Sequence, residues 1–147
     1  VTINGPGARL LTISGVTNPG ARSAENPEVT TGIFNITTAA SVNTTIKGLT
    51  LSNTEGRGIN NTGRLNLSDV VITGHHYGIY NSGRLSVNRA LIYGNSSGGV
   101  YLAASSTQVN ISNATITNNN SSGSGAGIYS LTSDLTLNNV TISHNSA

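Results

Sequence analysis

Residues 58–77 read GINNTGRLNLSDVVITGHHY, and residues 78–97 read GIYNSGRLSVNRALIYGNSS. At an offset of 20, G-I, N-x-G-R-L and a late Ile recur. Residues 127–147, GIYSLTSDLTLNNVTISHNSA, repeat the pattern; 99–126 open on GVY and carry VNISNATITNNN; 32–57 open on GIF and carry TIKGLTLSNT. The repeat starts are Gly32, Gly58, Gly78, Gly99 and Gly127. VTI at 1–3 and LLTIS at 10–14 mark an earlier coil within 1–31, with a long Pro-bearing loop over 16–31. A unit this short cannot bury its own apolar face, so its copies must stack on one another.

Each repeat holds three short alternating stretches. One is G-[IV]-[YF]. The second is Leu65/Leu67, Leu85/Val87, Val109/Ile111 and Leu135/Leu137. The third is Val70/Ile72, Ala90/Ile92, Ala114/Ile116 and Val140/Ile142, with Leu49/Leu51 before them. Alternation over so few residues signals a strand with one face inside, and Gly, Asn and Ser punctuate the strands as turns require. Three strands and three turns make a triangular coil. The twelve second- and third-stretch residues Leu65, Leu67, Val70, Ile72, Leu85, Val87, Ile92, Ile111, Ile116, Leu135, Leu137 and Ile142 are the expected core, with Asn66, Ser86, Asn110 and Thr136 facing out.

The composition agrees. Asn, Thr, Ser and Gly (20, 19, 19 and 18 residues) make up 76 of 147, and all four are poor helix formers. With no Cys there is no disulfide scaffold. A net charge of +2 is too low for disorder driven by charge. No apolar run approaches the ~18 residues of a membrane helix. The fold expected is an all-β parallel β-helix, one solenoid domain over 1–147 with about six three-stranded rungs.

GIYNSGRLSVNRALIYGNSS and LTLNNVTISHNSA resemble the repeats of bacterial surface β-helix proteins, relatives in fold of pectate lyases and of the polymorphic outer-membrane adhesins. VTINGPGARLLTIS followed by IKGLTLSN resembles the opening coils of such proteins. The resemblance covers nearly the whole chain but rests on core and turn positions, so it speaks to fold far more than to activity. It implies a right-handed helix and an extracellular or cell-surface setting.

Stacking turns sequence columns into physical ladders. Asn95, Asn119 and Asn145 share a column after the third strand, where amides can bond up and down the stack. His75 occupies that column one coil earlier, beside His76; a polar turn is the expected role, a metal or catalytic one the alternative. Asn43, Arg64, Arg84, Gln108 and Asp134 form a second column. Its stacked Arg64 and Arg84 could meet an acidic sugar, a sulfate or a neighbouring subunit's carboxylate. Phe34, Asn60, Tyr80, Tyr101 and Tyr129 form a third, whose rings, if outward, either bind sugars or other subunits or simply pack on each other.

The acids are Glu25, Glu28, Glu55, Asp69 and Asp134. Glycoside hydrolysis needs a pair of carboxylates held together, but Asp69 aligns with Arg89, Asn113 and Asn139, and Asp134 lies far along the stack. Glu25 and Glu28 sit in the 16–31 loop near Arg22. The Gly-His-Gly and Arg-Ile-Lys segments of polygalacturonase-like relatives and the calcium-binding acidic cluster of pectate lyases are missing. No catalytic residue, metal or cofactor is therefore expected. Ten N-x-S/T sequons, at Asn35, Asn43, Asn60, Asn66, Asn95, Asn110, Asn113, Asn119, Asn120 and Asn139, would permit glycosylation. A Thr array for ice binding starts at Thr115/Thr117 and Thr141/Ser143 but is interrupted by Leu91 and Tyr93.

The chain opens on an apolar strand and stops just after another, with no capping helix in sight, as expected of a processed chain or a segment of a longer β-helix. The functional expectation is a non-enzymatic extracellular structural module, a fibre subunit or a segment of a longer surface protein. Its partners are copies of itself or flanking coils, and possible glycans. The alternatives are a carbohydrate-binding or adhesin module and a remnant of a polysaccharide lyase or hydrolase. The sparse basic residues argue against nucleic acid.

Overall fold

The computed structural model describes residues 1–15, 32–39, 41–123, 125–132 and 134–147. The loop over 16–31, with Arg22, Glu25 and Glu28, lies outside them. Among the described residues every regular element is a strand: β1 (Thr2–Asn4), β2 (Thr12–Ser14), β3 (Gly32–Ile36), β4 (Asn43–Asn61), β5 (Arg64–Asn81), β6 (Arg84–Tyr93), β7 (Gly98–Leu102), β8 (Thr107–Thr117), β9 (Ile128–Ser130) and β10 (Leu135–Ser143). All pairings are parallel. The protein is a parallel β-helix, and β4 and β5 each bend around a whole coil.

Inward-facing columns of side chains fill the interior. Ile3, Ile46, Leu67, Val87, Ile111 and Leu137 stack on one face. Ile13, Leu51, Ile72, Ile92, Ile116 and Ile142 stack on the second. The third face is one layer shallower, with Phe34, Ile59, Ile79, Val100 and Ile128. Among the described residues the stack is therefore about five full turns, with a sixth layer on the first two faces. Leu65, Leu85 and Val109, then Leu49, Val70, Ala90 and Ala114, and lastly Ile36 and Leu102 in one column with Asn61 and Asn81, complete the core.

Leu67 and Val70 both face inward although they are three residues apart, which unbroken alternation forbids. The corner between them resolves this. Asp69, Arg89, Asn113 and Asn139 form one column of left-handed residues, with φ of 54°, 54°, 50° and 51°. Each drops out of the strand pairing and turns the chain onto the next face. Asn53, Asn118 and His144, with Gly74 and Gly94, do the same at the next corner. Asn and Asp tolerate this region, whereas most side chains resist it by ~1–2 kcal/mol. The Asn-rich composition is thus partly a corner requirement. The glycines that start each repeat answer a different demand. A Cβ on Gly78 would lie 2.6 Å from the Gly99 carbonyl oxygen, and one on Gly58 would lie 2.7 Å from that of Gly78, so successive coils can meet there only without side chains.

Two expectations need correction. β3 pairs with Gly32 opposite Arg57 and Phe34 opposite Ile59, one residue away from the alignment of Gly32 with Gly58. A single-residue slip exchanges the two faces of a strand. Phe34 therefore packs against the core, and Asn35 takes its place beside Asn60. The second correction concerns the last coil. The other nine of the twelve expected core residues are buried, but Leu137 and Ile142 are 43% and 47% exposed and Leu135 is half-buried. Their columns continue correctly; what they lack is a further layer.

Candidate functional site

The outward column on the third face is Asn60, Tyr80, Tyr101 and Tyr129. Parallel in-register stacking brings identical rings one rung apart. Tyr80 and Tyr101 stack nearly parallel, 4.6 Å between centroids at 6°, and Tyr101 and Tyr129 stack at 5.2 Å and 28°. Arg57, one residue before the Gly58 repeat start, lays its guanidinium 3.5 Å from the centre of the Tyr80 ring and donates to Asn60 Oδ1 at 2.7 Å. Tyr77 meets Tyr80 and Tyr101 edge-on. Burial first, then the neighbouring phenols, pushes the Tyr101 hydroxyl up from its ordinary pKa. The faces of Tyr80 and Tyr101 are consumed by neighbours within the column, so this is a cation-capped aromatic ladder rather than a row of open platforms. Beside it runs a groove of about 520 Å³ lined by His76, Tyr77, Ser97, Tyr101, Ser121 and Tyr129, among others, in which Ser97 Oγ and His76 Nε2 are 2.7 Å apart.

The Asn column forms a continuous chain of hydrogen bonds, buried at Asn95 and Asn119. Asn95 Nδ2 donates to Asn119 Oδ1 at 2.8 Å, and Asn119 Nδ2 donates to Asn145 Oδ1 at 3.0 Å. The same carboxamide oxygens accept the backbone N–H of the coil before, from His75 to Asn95, Asn95 to Asn119 and Asn119 to Asn145. The buried amides and N–H groups at the centre of this turn thereby bond to protein rather than to water. His75 completes the ladder in place of an Asn. The Thr54 N–H donates to its Nδ1 at 3.3 Å, so its Nε2 carries the proton and donates to the Leu51 carbonyl at 3.1 Å. Burial holds its pKa down to about 4, so it is a neutral structural imidazole near pH 7.

A second ladder escaped the sequence reading. Asn61 Nδ2 donates to Asn81 Oδ1 at 2.6 Å, and Asn81 Nδ2 donates to Ser106 Oγ at 3.1 Å. Both Asn residues are fully buried. The signal was present in the recurring N-x-G-R-L.

Arg64 and Arg84 are paired partners on adjacent rungs, with Asn43 opposite Arg64. The column ends there. A register shift after Arg84 sets Thr107 opposite it, and Gln108 takes a left-handed φ of 48°. Gln108 and Asp134, expected in this column, instead join each other through the Gln108 N–H and Asp134 Oδ2 at 2.6 Å. Asp69 does meet Arg89 on the next coil, through two bonds of 2.6 and 2.7 Å. That hydrogen bond above all holds the Asp69 carboxyl below the usual carboxylate range. No cluster of three or more His, Cys, Asp or Glu suited to a metal occurs among the described residues. No described helix is long and apolar enough to cross a membrane. Thr115 and Thr117 stack under Leu91 and Tyr93, which interrupts the Thr rows.

No protein-family model matches the chain, and no curated protein or solved structure matches it.

Proposed function

We propose that this chain is a non-enzymatic structural segment of an extracellular or cell-surface β-helix, of the kind its repeats resemble, and that it works by continued stacking. One observation carries the reading. Leu137 and Ile142 stand 43% and 47% exposed, while Ile111 and Ile116, directly beneath them in the same columns, are 1% and 0% exposed. The last coil presents a ready-made cross-section to a following coil, whether of the same polypeptide or of another copy. Such a contact is heterologous and extends indefinitely unless it closes into a ring, and open strand edges template it. A net charge of +2 opposes it weakly. The non-enzymatic part rests, among the described residues, on Asp69 and Asp134 lying on different coils and on Asp69 being paired with Arg89.

Light scattering against dilution, with negative-stain imaging, tests this. The expected result is concentration-dependent assembly that a Leu137→Asp/Ile142→Asp double variant suppresses. A dilution-independent monomer overturns self-stacking; a monomer that still refuses a grafted further coil overturns the reading altogether.

A second reading, a glycan-binding module, is favoured by the groove beside Tyr77, Tyr101 and Tyr129 with its Ser hydroxyls. Binding on a glycan array that is lost in Tyr77→Ala supports it.

A further inference from the structure

We propose that Arg64 and Arg84 form a binding site for a doubly charged tetrahedral oxyanion, a free phosphate or sulfate or a phosphate monoester. The inference goes beyond the stacking function and does not depend on it. The two side chains leave the same face of adjacent coils as direct partners, so their backbones are roughly 4.8 Å apart. Both are half-buried, and no carboxylate bridges either guanidinium among the described residues. Arg64 Nε is cut off from water with no hydrogen-bond partner. Partly desolvated like charges at one rung's separation repel, and a donor left without an acceptor adds its own cost. The protein nevertheless places both here.

The same two coils show what a neutralised step looks like. Five residues further on, also at an offset of 20, Asp69 and Arg89 oppose each other and pair through two bonds, though both are exposed. The step that more needs a counter-charge is the one without it.

The surroundings fit an anion carried by a polar molecule. Arg64 and Arg84 line a groove of about 280 Å³ together with Asn43, Asn66, Gln108 and Asn110. Four carboxamides can donate to ester or hydroxyl oxygens and carry no charge to repel an anion. The register shift after Arg84 takes Gln108 out of the column while keeping it in the groove wall. Two planar forks on neighbouring rungs suit one tetrahedral dianion, which offers oxygens to both. A single carboxylate matches only one fork. A small swing of Arg64 toward such a group also gives Nε an acceptor.

The test is a thermal-shift and calorimetric titration with sodium phosphate and sodium sulfate, each against sodium chloride of equal ionic strength. A glucose phosphate and plain glucose form the second arm. The expected result is stabilisation by the oxyanions beyond chloride, weakening as salt is raised. Arg64→Gln or Arg84→Gln should lose affinity about tenfold or more, the worth of a charge-assisted hydrogen bond. Arg89→Gln should leave it unchanged. Arg64→Lys keeps the charge and should recover only part of the affinity. Tighter binding of the sugar phosphate than of inorganic phosphate assigns a monoester, and the reverse order assigns the free ion. No stabilisation beyond chloride, or equal loss in Arg89→Gln, overturns the site. A fold check by circular dichroism on each variant separates lost binding from lost structure. Assembly by light scattering is a separate readout, so failure here leaves the stacking proposal standing and the converse also holds.

Discussion

β8 and β10 carry nearly the same pattern, VNISNATIT and LTLNNVTIS, and pair in register on either side of the Asn113/Asn139 corner. In β8 Ile111 and Ile116 are sealed; in β10 Leu137 and Ile142 are nearly half exposed. The alternation that makes a strand amphipathic is identical in the two. Burial differs because β8 has a coil on each side and β10 has one. In a solenoid the core is a property of neighbours, so a residue's energetic weight depends on its layer as much as on its type. This contrast predicts a steep gradient of mutational cost along the stack. At its steep end, Ile116→Ala should destabilise by ~2–5 kcal/mol, since it empties a closed site. Urea unfolding midpoints measure it. A cost below ~1 kcal/mol would mean that the middle coils collapse around the gap.

The next largest effect sharpens the comparison within the Asn column, where one coil uses His75. Its folded pKa of about 4 lies below the ordinary 6.5. Between those values the unfolded chain binds a proton that the folded chain refuses. His75 therefore costs no stability above pH 6.5, and stability falls as pH drops through this window, by about 3 kcal/mol in total. His75→Asn installs the residue the column carries elsewhere. It should flatten the stability curve between pH 6.5 and 4, as followed by unfolding at a series of pH values. A wild-type curve that is already flat would show that the imidazole is protonated in the fold.

Asn119 and Asn145 repeat the β8–β10 contrast in polar form. Asn119 is buried and bonded above and below, whereas Asn145 has only the coil beneath. Asn119→Ala strips the partners from Asn95 and from the Ile92 carbonyl, at ~1–3 kcal/mol for buried groups left unmet. Asn145→Ala should cost visibly less. Amide hydrogen exchange at Asn95, whose N–H bonds to Asn119 Oδ1, should accelerate in the first variant only.

The parallel coil was legible because its signals are local and repeated: the 20-residue offset, the inward columns and the Asn95–Asn119–Asn145 line all follow from one alignment. What was not legible lay where one residue decides a face. Nothing near Gly32 distinguishes an offset of 25 from one of 26, yet the choice moves Phe34 from surface to core. Nothing in the spacing before Val109 says which of Thr107 and Gln108 leaves the ladder. The Asn61–Asn81 ladder could have been found, since Asn at matched places before a Gly turn is what a buried amide stack requires. Arg57 over Tyr80 could not, because it joins different columns on neighbouring coils.

The smallest expected effect is at the exposed end of the β8–β10 comparison. Ile142→Thr keeps the β-branch that suits a strand and removes apolar surface that water already reaches. In dilute solution it should shift stability by no more than ~0.5 kcal/mol, the range of ordinary surface substitutions. At high concentration the same change should weaken assembly, because there Ile142 is covered. Measuring the urea midpoint at two protein concentrations separates the regimes. A difference between wild type and Ile142→Thr that grows with concentration places the next layer on β10. If the cost matches that of Ile116→Ala even when dilute, the last coil is already sealed in the isolated chain, and the gradient along the stack is not set by its neighbours.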